Sequence, residues 1–314
     1  MNIFLILAGL LLILGGANYM TDGSAALAKR LKVSEFIIGL TIVAVGTSMP
    51  ELVVSTISAF KGSGAMAIGN VVGSNIFNTY VILGMCALFA PVALTDRNMK
   101  RDIPMGILVS IILLLVCLGG TIVRSYGVLM FLIYIALILY SINSSKRDVA
   151  EVTEADEQIK DMPIWFTLLL IVGGLGALVF GGNIFLKGAI NVAHQFGISD
   201  KVIAVTLLAG GTSLPEFAAS VVSLVKGKSD IALGNVIGSN IANILLVLGL
   251  TSTITPLALG SITLYDILVV VAGSIVLYLA GISMGKQQIT KVEGSIMLLI
   301  YISYMWWTLS NAGA

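Results

Sequence analysis

The sequence contains the same segment twice, and the two copies lie 165 residues apart. Aligned without a gap, residues 34–84 and 199–249 share 24 identical residues in 51 positions, which identifies an internal duplication. Each copy carries glycine, threonine, serine, proline and glutamate in one short stretch, GTSMPE at 46–51 and GTSLPE at 211–216. The fold must therefore be built from two equivalent halves.

The duplicated segments belong to a chain that is too apolar for a water-soluble fold. Hydrophobic residues make up 58% of the 314 residues and charged residues only 11%, whereas soluble domains carry about 25% charged residues. Because about 20 apolar residues in a helix cross a bilayer, we predict an all-α polytopic membrane protein with ten spans. The predicted spans are 2–28, 34–60, 65–90, 103–121, 126–142, 163–190, 199–225, 230–251, 263–284 and 293–310.

The distribution of lysine and arginine predicts the orientation of these spans. With the N-terminus outside, the cytoplasmic loops hold thirteen of the seventeen basic residues and the outer side holds four, as the positive-inside rule requires. An even number of spans then places the C-terminus outside as well. We predict a multi-pass protein of the cell (plasma) membrane.

The duplication predicts that the two halves have opposite orientations. An offset of 165 residues spans five predicted crossings, an odd number, so the second copy lies inverted relative to the first. We predict a first five-helix repeat at 1–142, a cytoplasmic linker at 143–162 and a second, inverted repeat at 163–314. Inverted repeats are typical of secondary transporters, whose substrate site lies near the midplane where the repeats meet.

A proline and a glutamate, Pro50 and Glu51, lie near the middle of the second predicted span. Proline lacks an N–H and clashes with the preceding turn, and Gly46 tolerates the resulting distortion. We therefore predict that carbonyl oxygens between Ala44 and Thr47 lose their helical partners. Irregular backbone at this depth is tolerated only where it lines a polar cavity. The seventh span repeats the arrangement.

The side chains around this break are oxygen donors. Thr47 and Ser48 lie on the same helical face as Glu51, and such oxygens suit hard cations such as Ca²⁺ and Na⁺. Ca²⁺ takes about six to eight oxygens, so both halves must contribute. The third and eighth spans add a serine and an asparagine each, on one face. The candidate metal-ligating residues are Glu51, Glu216, Thr47, Thr212, Ala44, Ala209, Ser48, Ser213, Ser74, Ser239, Asn78 and Asn243.

Other classes of site find little support in the sequence. Cys86 and Cys117 lie within apolar runs and are interpreted as packing residues, and no catalytic set can be assembled around His194, the single histidine. We therefore predict neither enzymatic activity nor a cofactor, and the net charge of +1 gives no indication of nucleic-acid binding. The acidic linker favours a solvated connector over a folded Ca²⁺ sensor, because about 20 residues are too few for a domain.

The motif pairs GTSMPE with GNVVGSN, and GTSLPE with GNVIGSN, resemble the α-repeats of the cation/Ca²⁺ antiporter superfamily. The prokaryotic (archaeal or bacterial) Na⁺/Ca²⁺ exchangers are the most similar members. The resemblance covers essentially the whole chain. It implies a core of spans two, three, seven and eight, with spans one and six packed across it as a sliding pair.

The same resemblance implies the roles of the candidate residues. Ca²⁺ would be held by Glu51, Glu216 and the carbonyls of Thr47 and Thr212. Na⁺ positions on either side would use Ala44, Thr47, Ser48, Ser74, Ala209, Thr212, Ser213 and Ser239. Asn78 and Asn243 would line the centre. The transported ions would be Ca²⁺ and Na⁺, with the lipid bilayer as surroundings and no obligate protein partner.

The resemblance implies antiport of Na⁺ against Ca²⁺ by alternating access. Some relatives, including the K⁺-dependent exchangers, carry an acid where this chain has Asn243, so asparagine here argues against K⁺ dependence. The H⁺-coupled branch typically shows a different motif without the proline, so GTSxPE favours Na⁺ as the coupling ion. A Ca²⁺/H⁺ or other divalent cation/cation antiporter on the same fold stays open as an alternative, and a Ca²⁺ channel is a more distant one.

Overall fold

The computed structural model describes residues 2–148, 162–196, 209–283 and 287–311. Nearly all of these residues are helical. The helices, labelled in chain order, are α1 (Asn2–Leu31), α2a (Glu35–Thr47), α2b (Met49–Phe60), α3 (Gly64–Phe89), α4 (Asn98–Asp102 continued by Ile103–Cys117), α5 (Arg124–Asp148), α6 (Ile164–Gln195), α7a (Ala209–Gly211), α7b (Leu214–Val225), α8 (Ser229–Ile254), α9 (Leu264–Ile282) and α10 (Lys291–Asn311). The short strands are β1 (Val92–Ala93), β2 (Thr121–Ile122), β3 (Leu257–Ala258) and β4 (Gln288–Ile289).

The apolar helices confirm a multi-pass membrane protein. Within the described residues, seven helices are long and apolar enough to cross a membrane, and the pair α2a–α2b, bent by 43°, would form an eighth span. Two predicted spans are not among them. For span 103–121, the regular α-helical part of α4 has only 15 residues. The first residues of span 199–225 lie outside the described ones.

Several helices end beyond the predicted span limits. Helix α5 continues to Asp148, into the stretch predicted as linker, and α6 continues to Gln195 rather than ending at 190. Hydropathy marks the part of a helix that lies in lipid. The backbone hydrogen bonds that define a helix continue into water until the chain meets a breaking residue.

Equivalent π-helical turns interrupt the two helices that carry the GNVxGSN motifs. They span Phe77–Ile82 in α3 and Ala242–Leu248 in α8, and they contain Asn78 and Asn243 respectively. A π-turn inserts an extra residue into a helix and so changes the direction of the following side chains, often at functional sites. The duplication thus extends to a local irregularity of the backbone.

Helices α1 and α6 cross with their backbones in direct contact. A Cβ atom built on Gly16 would lie 2.7 Å from the carbonyl oxygen of Gly174, and one built on Gly174 would lie 2.7 Å from the carbonyl oxygen of Gly16. Gly9 and Gly181 make an equally close contact one to two turns away. Small residues allow such crossings in membranes, where packing rather than water drives helix association.

Helices α2a and α8 form a second close crossing, inside the core. A Cβ atom on Gly39 would lie 2.6 Å from the carbonyl oxygen of Ile231, and Gly234 lies against the carbonyl oxygen of Phe36. The first half of the chain therefore packs directly on the second near the GTSMPE stretch.

The short strands join loops from the two halves. β1 pairs antiparallel with β4, and β2 pairs antiparallel with β3. β1 and β4 occupy loops predicted to be cytoplasmic, whereas β2 and β3 occupy loops predicted to lie outside. The Lys228–Glu35 ion pair likewise joins a predicted cytoplasmic loop to the predicted cytoplasmic end of the second span. These contacts agree with the predicted alternation of the crossings.

Candidate functional site

Both copies of the GTSxPE motif break their helix at the serine. Ser48 has φ −82° and ψ 6°, and Ser213 has φ −89° and ψ 7°, so α2b and α7b begin anew with a proline in their first turn. Proline is favourable there because the first turn needs no intrahelical N–H. Glu51 and Glu216 also lie in these first turns, where the positive end of the helix dipole stabilises a carboxylate.

The prediction that the Ala44 carbonyl loses its helical partner is wrong. Its oxygen accepts the backbone N–H of Ser48 at 3.0 Å, because Ala44–Thr47, which follow a π-helical turn at Gly39–Val43, are α-helical and the helix ends only at the serine. Ala44 itself is completely buried. Its duplicate, Ala209, is the first residue of α7a.

The two glutamates lie buried at one place, where the halves meet. Both have 0% exposure. Ser48 donates a hydrogen bond to Oε1 of Glu216 at 3.1 Å, and Ser213 donates one to Oε1 of Glu51 at 3.3 Å. Each half therefore holds the glutamate of the other half, which brings the two carboxylates to the same place between the halves.

Other candidate residues surround the same two carboxylates. Ser74 of α3 donates to Oε1 of Glu51 at 3.2 Å. Thr47 Oγ1 lies within hydrogen-bond distance of Oδ1 of Asn235, at 3.2 Å, and of the Ala44 carbonyl oxygen, at 3.3 Å, whereas Oγ1 of Thr212 is buried without a partner. In the described residues, the side-chain donors to the two carboxylates are the hydroxyls of Ser48, Ser74 and Ser213.

Several oxygens at this place are buried without a hydrogen-bond partner. Leaving a buried polar atom unpaired costs about 1–3 kcal/mol, and more for a charged group. Because the unpaired atoms include duplicated pairs of acceptors, the arrangement is suited to a cation with oxygen ligands. Among the described candidate residues, the unpaired oxygens are Oε2 of Glu51, Oε2 of Glu216, Oδ1 of Asn78, Oδ1 of Asn243, Oγ of Ser239 and Oγ1 of Thr212.

Neighbouring side chains offer neither a counter-charge nor a softer metal site. In the described residues, ion pairs are formed by Asp22, Glu35, Asp96 and Asp102, all outside this cluster. The described part of the chain holds no group of three or more histidine, cysteine, aspartate or glutamate side chains around a common point. A zinc-type centre is therefore not formed by these residues.

Two asparagines that the sequence analysis did not single out support the broken helices. Asn70 donates to the backbone carbonyl of Glu51 at 3.2 Å and to Ser55 at 3.0 Å. Asn235 makes the same pair of bonds to the carbonyl of Glu216 at 3.2 Å and to Ser220 at 2.9 Å. Their occurrence in both copies of GNVxGSN was the signal that could have identified them.

A cleft lies beside the site on one side. It has a volume of about 260 Å³, lies between α2b, α6 and the α7 segments, and is lined by Pro50, Val53, Gly182, Asn183 and Thr212 among others. The cleft therefore ends at the two broken helices, next to the motifs that carry the glutamates, while both glutamates stay buried behind its wall.

The corresponding position beside α1 is closed. Thr21 of α1 lies 2.8 Å from Ser223 of α7b, hydroxyl to hydroxyl. Lys226, at the end of α7b, binds Oδ1 of Asn18 at 2.9 Å and forms an ion pair with Asp22. The structure is therefore asymmetric, with a cleft beside α6 and the duplicate position beside α1 closed.

The chain is similar to several known proteins along nearly its whole length. The chain is 37% identical over 312 residues to the putative antiporter CaxA of Alkalimonas amylolytica, covering 98% of both chains. It is 32% identical to the sodium/calcium exchanger MaX1 of Methanosarcina acetivorans, covering 97% of both. Structures of the sodium-calcium exchanger NCX_Mj, soaked with Na⁺ and Ca²⁺, superpose with a TM-score of 0.83 at 30% identity, covering 96% of both chains.

A family model identifies the group to which these relatives belong. The model of the sodium/calcium exchanger proteins matches residues 1–143 and 166–310, the great majority of the chain. These are transporters rather than enzymes. The chain belongs to the sodium/calcium exchanger protein family.

Proposed function

We propose that this protein exchanges Na⁺ for Ca²⁺ across a membrane by alternating access, through one midplane site formed by both halves. The observation that carries the proposal is the pair of buried glutamates, one from each half, whose second carboxylate oxygens lack partners. The ligands would be Glu51 and Glu216 with their neighbouring oxygens: Ala44, Thr47, Ser48, Ser74, Asn78, Ala209, Thr212, Ser213, Ser239 and Asn243.

Charge balance explains why such a site exchanges ions rather than leaking them. Two carboxylates with a total charge of −2 are neutralised by one Ca²⁺ or by several Na⁺, and both cannot use the same oxygens at once. An empty site would carry two uncompensated charges in a medium of low dielectric. The unloaded protein would therefore resist the change of access, and ions would cross only in exchange for one another.

We propose the arrangement predicted from the sequence as the framework for this exchange. It consists of ten spans in two inverted five-helix repeats, 1–142 and 163–314, joined by a cytoplasmic linker at 143–162, with both termini outside the plasma membrane. The reciprocal Ser48–Glu216 and Ser213–Glu51 bonds support it, because a two-fold arrangement of halves produces such pairs.

The direct test is Ca²⁺ uptake by the purified protein in sealed vesicles. An imposed outward Na⁺ gradient at clamped pH is expected to drive ⁴⁵Ca²⁺ inward, and dissipating that gradient with a Na⁺ ionophore should stop it. A pH gradient without Na⁺ is the matched control. Uptake that follows only the pH gradient would establish the Ca²⁺/H⁺ alternative and refute Na⁺ coupling.

The closed side of the site predicts a preferred conformation. The duplicate positions of Asp22 and Lys226 are Lys187 and Lys61, both exposed. The inverted conformation would thus bring two lysines together where this one has an ion pair. We expect that Asp22→Asn weakens closure of α1 on α7b.

This effect can be followed with one reporter residue. Ser223→Cys is buried against α1, and its labelling by a membrane-impermeant thiol reagent from the Lys226 side should become faster when Asp22→Asn is added. Asp96→Asn, which breaks the exposed Asp96–Lys100 pair instead, is the control and should leave the rate unchanged. Equal labelling rates in the parent and the Asp22→Asn protein would show that this ion pair does not hold the closed side.

A further inference from the structure

The amide group of Asn243 has a defined orientation in the structure. Asn243 lies fully buried in the π-turn of α8. Its Nδ2 donates to Oδ1 of Asn75 at 3.2 Å, while its own Oδ1 has no partner. Asn243 lies one turn after Ser239, as Asn78 lies one turn after Ser74, whose hydroxyl binds Glu51. The unpaired oxygen therefore belongs to the group of acceptors that could bind a cation.

The orientation of Asn243 follows from that of Asn75. Asn75 is buried in α3, and its Nδ2 donates to the backbone carbonyl of Asn240 at 3.4 Å. A carbonyl oxygen can only accept, so the NH₂ group of Asn75 must face it and Oδ1 must face Asn243. Asn243 then has to present its NH₂ group to Asn75, and its oxygen is left for the site.

We propose that Asn75 is a positioning residue that fixes the Asn243 amide with its oxygen toward the cation and its NH₂ group away. The proposal rests on the proposed function, because it concerns a ligand of the same site. Without Asn75, the Asn243 amide can turn over and present NH₂, which repels a cation and donates to carboxylates instead. Asn75 thus raises cation affinity without touching the ion.

The duplicate residues Asn240 and Asn78 do not form the hydrogen bond that joins Asn75 and Asn243, which supplies an internal control. Asn240 is the duplicate of Asn75, but its Nδ2 donates to Oγ1 of Thr79 at 2.8 Å. Neither amide atom of Asn78, the duplicate of Asn243, has a partner. Equivalent substitutions at 75 and 240 should therefore have unequal effects, although the two residues occupy the same place in the repeat.

The experiment measures Ca²⁺ binding to the full-length protein in detergent by isothermal titration calorimetry. Asn75→Leu removes both hydrogen bonds at similar volume and should weaken binding about tenfold, the loss of one oriented oxygen ligand. Asn240→Leu is the matched control and should change binding by less than about threefold. Thermal unfolding of both variants shows whether either effect reflects a damaged fold.

A double-mutant cycle separates positioning from a merely structural role. Aspartate at 243 offers oxygen in either orientation, so it needs no orienting partner. Asn75→Leu should therefore cost less than about twofold in an Asn243→Asp background, against about tenfold in the parent. The same loss in both backgrounds, or no loss in the parent, would overturn the proposal.

Two further variants separate failure of this inference from failure of the proposed function. If Asn243→Ala weakens Ca²⁺ binding but Asn75→Leu does not, the positioning role fails and the site stands. If Asn243→Ala has no effect, Asn243 is no ligand and the inference fails with it. If Glu51→Gln binds Ca²⁺ as the parent does, the proposed site itself is wrong.

Discussion

Replacing either Glu51 or Glu216 with glutamine is expected to abolish Na⁺-driven Ca²⁺ transport. Each substitution keeps the side-chain volume but removes half of the charge that compensates Ca²⁺. In the bound state Ca²⁺ and each carboxylate form a buried pair of opposite charges. Breaking such a pair costs about 3–5 kcal/mol, which corresponds to more than a hundredfold in Ca²⁺ affinity. The measurement is ⁴⁵Ca²⁺ flux and binding with purified protein in vesicles.

The matched control for this prediction lies in the same broken span. Glu35, at the start of α2a, pairs with Lys228 outside the cluster. Glu35→Gln should keep Ca²⁺ affinity within about twofold of the parent, since partly exposed ion pairs contribute little. Retained Ca²⁺ flux in Glu51→Gln or Glu216→Gln would remove the basis of the proposed site. A similar loss in Glu35→Gln would point to general damage rather than to lost ligation.

Enlarging the glycines at the crossing of α1 and α6 is expected to have the second large effect. A side chain at Gly16 or Gly174 would place its Cβ 2.7 Å from a carbonyl oxygen of the facing helix. The backbones would have to separate, because neither atom can move aside. We expect Gly16→Leu and Gly174→Leu to eliminate transport and to lower the free energy of unfolding by about 1–3 kcal/mol or more.

Each of these glycines has a neighbour that serves as control. Cβ atoms at Gly15 and Gly173 would have no atom within 4 Å, so leucine there extends into open space. Gly15→Leu and Gly173→Leu should transport Ca²⁺ and unfold on heating like the parent. Equal damage from Gly15→Leu and Gly16→Leu would mean that helix propensity, rather than the crossing, determines the result.

The essential parts of the candidate site could be predicted from the residues themselves. Proline and glutamate at the centre of a membrane span indicate a broken helix and a buried charge, since both are costly there without a function. The structure shows both breaks and brings the two glutamates together. The duplication required that the second glutamate behave like the first.

Partners that cross between helices were beyond the reach of sequence patterns. The Asn70 and Asn235 bonds depend on how α3 and α8 cross the broken helices, and no local spacing encodes a crossing angle. The duplicated pair Asn78 and Asn243 makes the point most clearly. Both lie three residues after GNVxGSN, yet only Asn243 has a hydrogen-bond partner. The neighbouring asparagines differ, because Asn75 accepts from Asn243 whereas Asn240 donates to Thr79.

The expectation about the backbone was inaccurate for a related reason. Proline at position 50 was expected to free carbonyls up to Ala44, but the Ala44 carbonyl keeps its helical partner and the helical dihedral angles are lost at Ser48. A helix that restarts at once with proline in its first turn loses fewer hydrogen bonds than one disrupted over a whole turn. The position of a break thus depends on which residue absorbs the irregular dihedral angles.

The two strand pairs indicate which helices are fixed to one another and which could move. β1–β4 and β2–β3 fasten one half to the other near opposite ends of the helices, and the loops that carry them flank α4, α5, α9 and α10. Those helices therefore form a braced scaffold. In the part of the chain that the structure describes, no strand adjoins α1 or α6, and their glycine contacts join them to each other. Such a pair would tilt as one rigid unit. Moving it away from the broken helix on one side of the site would press it against the broken helix on the other side, so that both sides could not be open at the same time.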